Sequence, residues 1–408
     1  MTENQNFFNN EELRQETELR LRKLLPILSE SGADALIIAS NANVYYCAGR
    51  FFRGYIYINK EGRTLYFVIR PNNFCPEENL LYIRKPEQIP AELEKLGIPL
   101  PSRIGIERDD LTWSDCERLR KVFPDAEVIN ASPIMRKARL IKTPYEIELI
   151  REDGTHQAAV YSKVARLYSR DMTDLEFQIE IERILRLEGS LGTLRVAGNL
   201  MEINMGSVIA GENADTPSPY DFAMGGAGVD TSVPGGASGE IMRMGQTVMV
   251  DMNGNFNGYN SDMTRVWSIG EVSPLARKAH ACSIRILREL EKISLPGTEV
   301  CRLYNHAMEI VEEEGLSEYF MGHRQHAAFI GHGIGIELNE MPAITPRCKD
   351  ILRENMTLAI EPKFVIPEVG AVGVENSYVV TPSGLENLTP FHEEIINLLS
   401  ILRRDLPD

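Results

Sequence analysis

Apolar residues recur at helical spacing along residues 11–31, "EELRQETELRLRKLLPILSES", which predicts an amphipathic helix with Pro26 as a point of kinking. The period then shortens. "DALIIAS" reads as a strand, and "YIYINKEGRTLYFVI" reads as two strands joined by a turn at Lys60–Gly62. "RIGIE" is another short strand, ahead of a helix near 112–122. Strand and helix alternate to about residue 135, the pattern of a small α/β domain. The stretch "MRKARLIKTPYEIELI" brings a basic cluster and a strong helix start. There Thr143 is an N-cap, Pro144 fits the first helical position, and Glu146 completes a capping box. "TDLE" at 173–176 repeats that start. We therefore expect a boundary near Arg139, with domains at 1–139 and 140–408. Past a loop rich in Gly, Pro and Ser (211–239), a hairpin is followed by helices at 274–293 and 298–314 and strands at 328–338, 357–366 and 371–381. This half is expected to be α+β.

Composition narrows the class. A chain of 408 residues exceeds one ordinary core and suggests two domains. It is 43% hydrophobic and 25% charged, as soluble globular proteins are. The net charge of −16 argues against nucleic acid or an anionic membrane as the main partner, because both call for basic patches. The polar start "MTENQNFFNN" has no apolar stretch behind it, so no signal peptide is expected. Cys47, Cys75, Cys116, Cys282, Cys301 and Cys348 are scattered, without a CxxC pair. They read as reduced thiols of a cytoplasmic protein.

The candidate chemistry lies in two acidic hairpins. "VDMNGNFNGYNSDMTR" places Asp251 and Asp262 on either side of a segment rich in Gly and Asn. In a regular register they would face each other across the ladder, where like charges repel and a cation is expected between them. "TLAIEPKFV" and "GAVGVENSYVV" repeat the arrangement, with Glu361 and Glu375 symmetric about a turn at Pro367–Gly370. Between the hairpins in sequence lies "GHGIG", with His332. Four carboxylates and one imidazole would suit two divalent cations, whose four positive charges they balance. "DMNGNFNGYNSD" half-matches an EF-hand loop, but Phe256 takes the glycine position and the flanks read as strands.

These segments, with "GHGIGIELNEMP" and "VGVENSYVVT", resemble the metal-site motifs of the pita-bread metallopeptidases, which include Xaa-Pro dipeptidase, aminopeptidase P and methionine aminopeptidase, with creatinase as a metal-free relative. The resemblance covers 140–408, and "DALIIASNANVYYCAGR" resembles a creatinase-type N-terminal domain. It implies a pita-bread catalytic domain behind a smaller α/β domain, and a homodimer. It also implies five ligands to two ions of Mn, Co, Zn or Fe: Asp251, Asp262, His332, Glu361 and Glu375. Asp262 and Glu375 would bridge the ions, Asp251 would serve one, and His332 and Glu361 the other. The implied reaction is hydrolysis of a short peptide by a hydroxide shared between the metals, with Glu361 shuttling a proton to the leaving amine.

The chain departs from that pattern at three places. Histidines that accompany the metals in the proline-handling members are matched by Ser218, Ala328 and Asn339. Losing an oxyanion donor costs on the order of a hundredfold in rate, although Ser218 and Asn339 retain hydrogen-bonding groups and are candidate substrate contacts. His323 and His326, in "MGHRQHAAFIGHG", are further candidates. Tyr220 and Asp221 are placed in the cleft on position alone. His156, His280, His306 and His392 read as structural. The leading expectation is an Xaa-Pro peptidase. The alternatives are a hydrolase or lyase of a small non-peptide metabolite on the same fold, and a binding protein without turnover.

Overall fold

The computed structural model describes residues 6–8, 10–198, 203–220 and 223–402. The chain divides into two compact units, residues 1–139 and 140–408.

The first unit is one mixed sheet. Its strands are β1 (Ala35–Ile38), β2 (Arg53–Asn59), β3 (Thr64–Arg70), β4 (Leu80–Tyr82), β5 (Arg103–Ile106) and β6 (Glu127–Asn130), in the order β4-β3-β2-β1-β5-β6. The helices are α1 (Glu11–Ser31), α2 (Asn41–Ala48), α3 (Ile89–Lys95), α4 (Trp113–Val122) and α5 (Ser132–Leu140). β2 and β3 pair antiparallel, with the expected turn between them, whereas β5 and β6 continue the sheet in parallel. Ile37, Phe67, Ile104 and Ile106 meet Leu93 and Leu119 in its core. α1 accommodates Pro26 within its length.

The second unit opens with α6 (Pro144–Val164) and α7 (Asp174–Leu187), each begun by the capping box its sequence predicts. Thr143 and Thr173 each accept a hydrogen bond from the third helical N–H, and the carboxylates of Glu146 and Glu176 accept one from the Thr143 and Thr173 N–H groups. Three short strands follow, β7 (Gly206–Ala210), β8 (Thr247–Gly254) and β9 (Ser261–Ser268). Next come α8 (Pro274–Ile293), α9 (Val300–Glu313), β10 (Gly331–Gly333), β11 (Thr357–Ile360), β12 (Lys363–Ile366), β13 (Gly370–Gly373), β14 (Asn376–Thr381), β15 (Gly384–Asn387), β16 (Ile396–Asn397) and α10 (Leu398–Leu402). They form sheets β16-β9-β8-β7 and β10-β11-β14-β15, and the pair β12-β13.

Strand alternation assigns the two faces of β8 and β9. Val248, Val250, Met252, Met263 and Trp267 pack with Val160, Tyr161 and Phe177 of α6 and α7. Met249 and Val266 point the other way, into the core built by α8 and α9 with Leu358, Ile360 and Val374. Asp251 shares the parity of Met249, and Asp262 that of Val266. The carboxylates are thereby carried on the inward face.

α6 pins the hairpin from outside. Gly154 lets the same helix come close to the segment after β15, since a β-carbon there would lie 2.1 Å from the carbonyl oxygen of Leu388. Its neighbour Asp153, fully buried, accepts hydrogen bonds from the N–H groups of Phe256 and Ser261. Burial pushes the Asp153 carboxyl up to about 7, against the partial offset of those bonds. The folded protein therefore holds this proton more tightly than the unfolded chain, where the group titrates near 3.8. Its stabilisation is complete below that value and is lost as pH rises through about 7. Asp153→Asn should flatten the fall in unfolding free energy between about pH 4 and pH 7, followed by denaturant titration. An unchanged slope would contradict the assignment.

Candidate metal centre

The two acidic hairpins meet in one place, and their backbones set the meeting. In the second hairpin the expected symmetry holds. β11 with β14 and β12 with β13 share one register, Ile360 opposite Asn376 and Lys363 opposite Gly373, so Glu361 and Glu375 stand across from each other between the ladders. In the first hairpin it does not. Asp251 pairs with Thr264, and Asp262 with Asn253. The turn is centred one residue later than its composition suggests, which slides the pairing by two. A slip of two keeps every side chain on its face, so both acids still point inward, as diagonal neighbours.

Short contacts cross from hairpin to hairpin. The Asp262 N–H donates to Ser377 Oγ (2.8 Å), and Ser377 Oγ lies 3.0 Å from the Asp262 carbonyl. The Glu375 N–H donates to the Thr264 carbonyl (3.2 Å), and Thr264 Oγ1 donates to Glu375 Oε2 (2.7 Å). Arg265, almost wholly buried, donates to the carbonyls of Glu375 (2.7 Å) and Thr264 (2.9 Å) and to Asn376 Oδ1 (2.8 Å). Burial pulls this guanidinium down to about 10, which leaves it charged at neutral pH. Asn260 donates to the carbonyls of Gly335 and Ile336 and so ties the hairpin to the segment behind His332.

Ligating atoms of Asp262, His332 and Glu375 lie within 4.8 Å of one another, as do those of Asp251, Glu361 and Glu375. His332 Nδ1 is 3.0 Å from the Gly333 carbonyl, which assigns the ring proton to Nδ1. The Nε2 lone pair then faces Asp262 Oδ2 and Glu361 Oε1, each at 3.8 Å. Glu375 is 1% exposed, and its Oε1 has no hydrogen-bond partner. A buried carboxylate oxygen without a donor is costly, and a cation shared with Asp262 and His332 would satisfy it. The donor set therefore fits a divalent ion. Burial, then the charges of Glu375, Asp251 and Glu361, hold the Asp262 carboxyl well above its usual range. Burial and the Glu361 charge push Glu375 up to about 8.

Lys363 joins this group without having been among the expected site residues. It stands two residues after Glu361, hence on the same face of an extended chain. Its side chain is 0% exposed, and Nζ lies 2.6 Å from Glu361 Oε2, 2.8 Å from Asp251 Oδ2 and 3.0 Å from Glu375 Oε2. Burial alone would lower the pKa of this amine, but the three carboxylates outweigh it and hold the group charged.

The accessory positions are divided between two cavities. The acids and His332 line one of ≈ 230 Å³, walled by Leu194, Phe329, Leu338 and Asn339. A larger cavity of ≈ 390 Å³ is lined by Ser218, Tyr220, His323, Gln325, His326 and Ala328, and shares Met224 and Phe329 with the first. Only Asn339 of the candidate substrate contacts therefore borders the acids. Ser218 is turned away, its Oγ donating to the Pro234 carbonyl (2.9 Å). His323 is held by Asp215 (2.9 Å) and stacks on Tyr319, and His326 Nδ1 is 2.8 Å from the Phe320 carbonyl. Asp221 lies outside the described residues.

Buried carboxylates and one imidazole, gathered between two hairpins at the floor of a small apolar cavity, define a metallohydrolase-type site. The comparisons with known proteins place it more closely. The sequence model described as metallopeptidase family M24 matches residues 148–382, and that of the creatinase/prolidase N-terminal domain matches 20–141. An Xaa-Pro dipeptidase of Pyrococcus horikoshii is 26% identical over 381 residues, covering 92% of this chain and 98% of that one. An Xaa-Pro dipeptidase of Bacillus anthracis superimposes with a TM-score of 0.77 at 22% identity, covering 93% of this chain and 99% of the other. An X-Pro aminopeptidase of Thermotoga maritima does so with 0.73 at 23% identity, covering 90% and 98%. The chain belongs to metallopeptidase family M24, with a creatinase-type N-terminal domain and a pita-bread catalytic domain, and is a hydrolase of the metallopeptidase type.

Asn339 spends its amide on the cavity wall. Its Oδ1 accepts from the Ala197 N–H (2.8 Å) and its Nδ2 donates to the Ala197 carbonyl (3.0 Å). At about 1 kcal/mol per hydrogen bond, Asn339→Ala should raise tryptic cleavage after Arg195 on the order of tenfold. A cleavage rate equal to the parent's would contradict this clamp.

Proposed function

We propose that the chain is a metal-dependent peptidase acting on short peptides, and that cleavage beside proline is its reaction. The observation that carries this is the convergence of Asp262, His332 and Glu375, the last with a buried and unpartnered Oε1. The names of the similar proteins, Xaa-Pro dipeptidase and X-Pro aminopeptidase, supply the substrate class. Asp251 and Glu361 complete the acidic group. A divalent ion of the Mn, Co, Zn or Fe type, once bound, supplies Lewis acidity and an activated water. Of the chain's own residues, Glu361 is the candidate proton carrier. Its Oε2 is fixed by Lys363, while its Oε1 faces His332 and the cavity, so a proton is taken up and delivered at Oε1. Leu194, Phe329 and Leu338 exclude water around it and suit a small apolar side chain or a proline ring.

A second reading, hydrolysis or lysis of a small non-peptide amide, draws support from Ser218, Ala328 and Asn339. Two of these border the neighbouring cavity, and the third is occupied by Ala197. A cytoplasmic homodimer is the setting we propose. Six unpaired cysteines accord with a reducing compartment, and among the described residues no helix is long and apolar enough to cross a membrane.

Digestion of a peptide library with Mn, Co or Zn added, read by mass spectrometry, should show cleavage at Xaa-Pro bonds. Cleavage confined to other amides would favour the second reading, and no cleavage a binding role. Glu361→Ala should lower turnover by about a hundredfold or more with an unchanged circular dichroism spectrum. Parent-like turnover in that variant would remove Glu361 from the mechanism.

A further inference from the structure

The five side chains were expected to hold two ions, but a lysine stands where one of them would be. We propose that the ammonium of Lys363 replaces the second cation, and that the chain binds a single divalent ion, between Asp262, His332 and Glu375. This rests on reading those three residues as a metal site.

The geometry of Lys363 carries the argument. An ammonium has three donors, and Nζ meets three carboxylate oxygens, one each from Asp251, Glu361 and Glu375, at 2.6–3.0 Å. These are the residues of the second ligand trio. A divalent ion held by their oxygens would lie about 2.0–2.2 Å from each, inside the space the nitrogen fills. The lysine side chain is 0% exposed, so it has no route to solvent without repacking. Asp251, the ligand expected to serve one ion alone, gives Oδ2 to Lys363 and is thereby bound to the ammonium.

The two trios share Glu375, and its two oxygens differ in their partners. Oε2 accepts from Lys363 and from Thr264, while Oε1 is buried without a partner. One oxygen is satisfied by the chain itself, and the other awaits a cation. Charge gives the same count. With all four carboxylates ionised, Lys363 and one divalent ion leave the group one negative charge from neutrality. A second divalent ion beside the ammonium would make a buried site net positive, with like charges in contact.

The experiment is metal stoichiometry on the full chain. Purified protein equilibrated with excess Mn(II), then desalted, should carry one ion per chain by elemental analysis. Its electron paramagnetic resonance spectrum should be that of an isolated ion. Lys363→Ala should raise the content to two ions and produce the spectrum of an exchange-coupled pair. Two ions in the parent protein would overturn the proposal while leaving the metallohydrolase reading standing. No ions in the parent would overturn that reading and the proposal with it. One ion in both the parent and a folded Lys363→Ala would show that the lysine is not what excludes the second. If that variant does not fold, the parent's stoichiometry and spectrum decide the question on their own.

Discussion

Four carboxylates are brought into one buried space, and the structure around them is organised by the need to offset their repulsion. Left alone they would not ionise together, as the upward displacement of Asp262 and Glu375 shows. The chain answers in two ways. It supplies one permanent positive charge of its own, Lys363, fully hydrogen-bonded and closed from solvent. It also leaves one buried carboxylate oxygen, Glu375 Oε1, unpartnered, in a residue grouped with Asp262 and His332. The first arrangement is complete within the chain, and an ion bound at the second would complete it.

The scaffold fixes those positions with little freedom. Each hairpin presents its acids on a single face. Ser377, Thr264 and the backbone of Glu375 then lock one hairpin against the other, with Arg265 satisfying the carbonyls that the crossing leaves behind. From outside, Asp153 fixes α6 to the turn of the first hairpin. The cavity above the acids is small and largely apolar, and Asn339 is committed to its wall. The charged groups lie at its floor, and Leu194, Phe329 and Leu338 make its walls.

Much of this was legible in the sequence. The capping boxes at Thr143 and Thr173 start helices where expected, and α8 spans Pro274–Ile293 as its pattern predicts. The symmetry of Glu361 and Glu375 survives because their turn is short and both flanking ladders share one register. Asp251 and Asp262 were misplaced by two because a long run of Gly and Asn gives many equivalent turn centres. Only the packed ladder chooses among them. The strand expected over 328–338 reduces to Gly331–Gly333, since its remaining backbone bonds are made with other segments. Histidines near the motif, His323 and His326, drew attention by residue type, yet their rings are held by Asp215 and by the Phe320 carbonyl. Lys363 was overlooked although its spacing from Glu361 was in plain view. A lysine after a strand motif reads as solvent-facing, and only three-dimensional closure shows that its partners are the ligands.

We propose that this fold holds its acids together with one lysine and one ion. Crystals of the parent protein grown with Mn(II), with data collected at the manganese absorption edge, test it most directly. A single anomalous peak per chain is expected, bounded by Asp262, His332 and Glu375, with Lys363 Nζ still in contact with Asp251 and Glu361. Two peaks, or one peak in the place of Nζ with the lysine displaced, would contradict it.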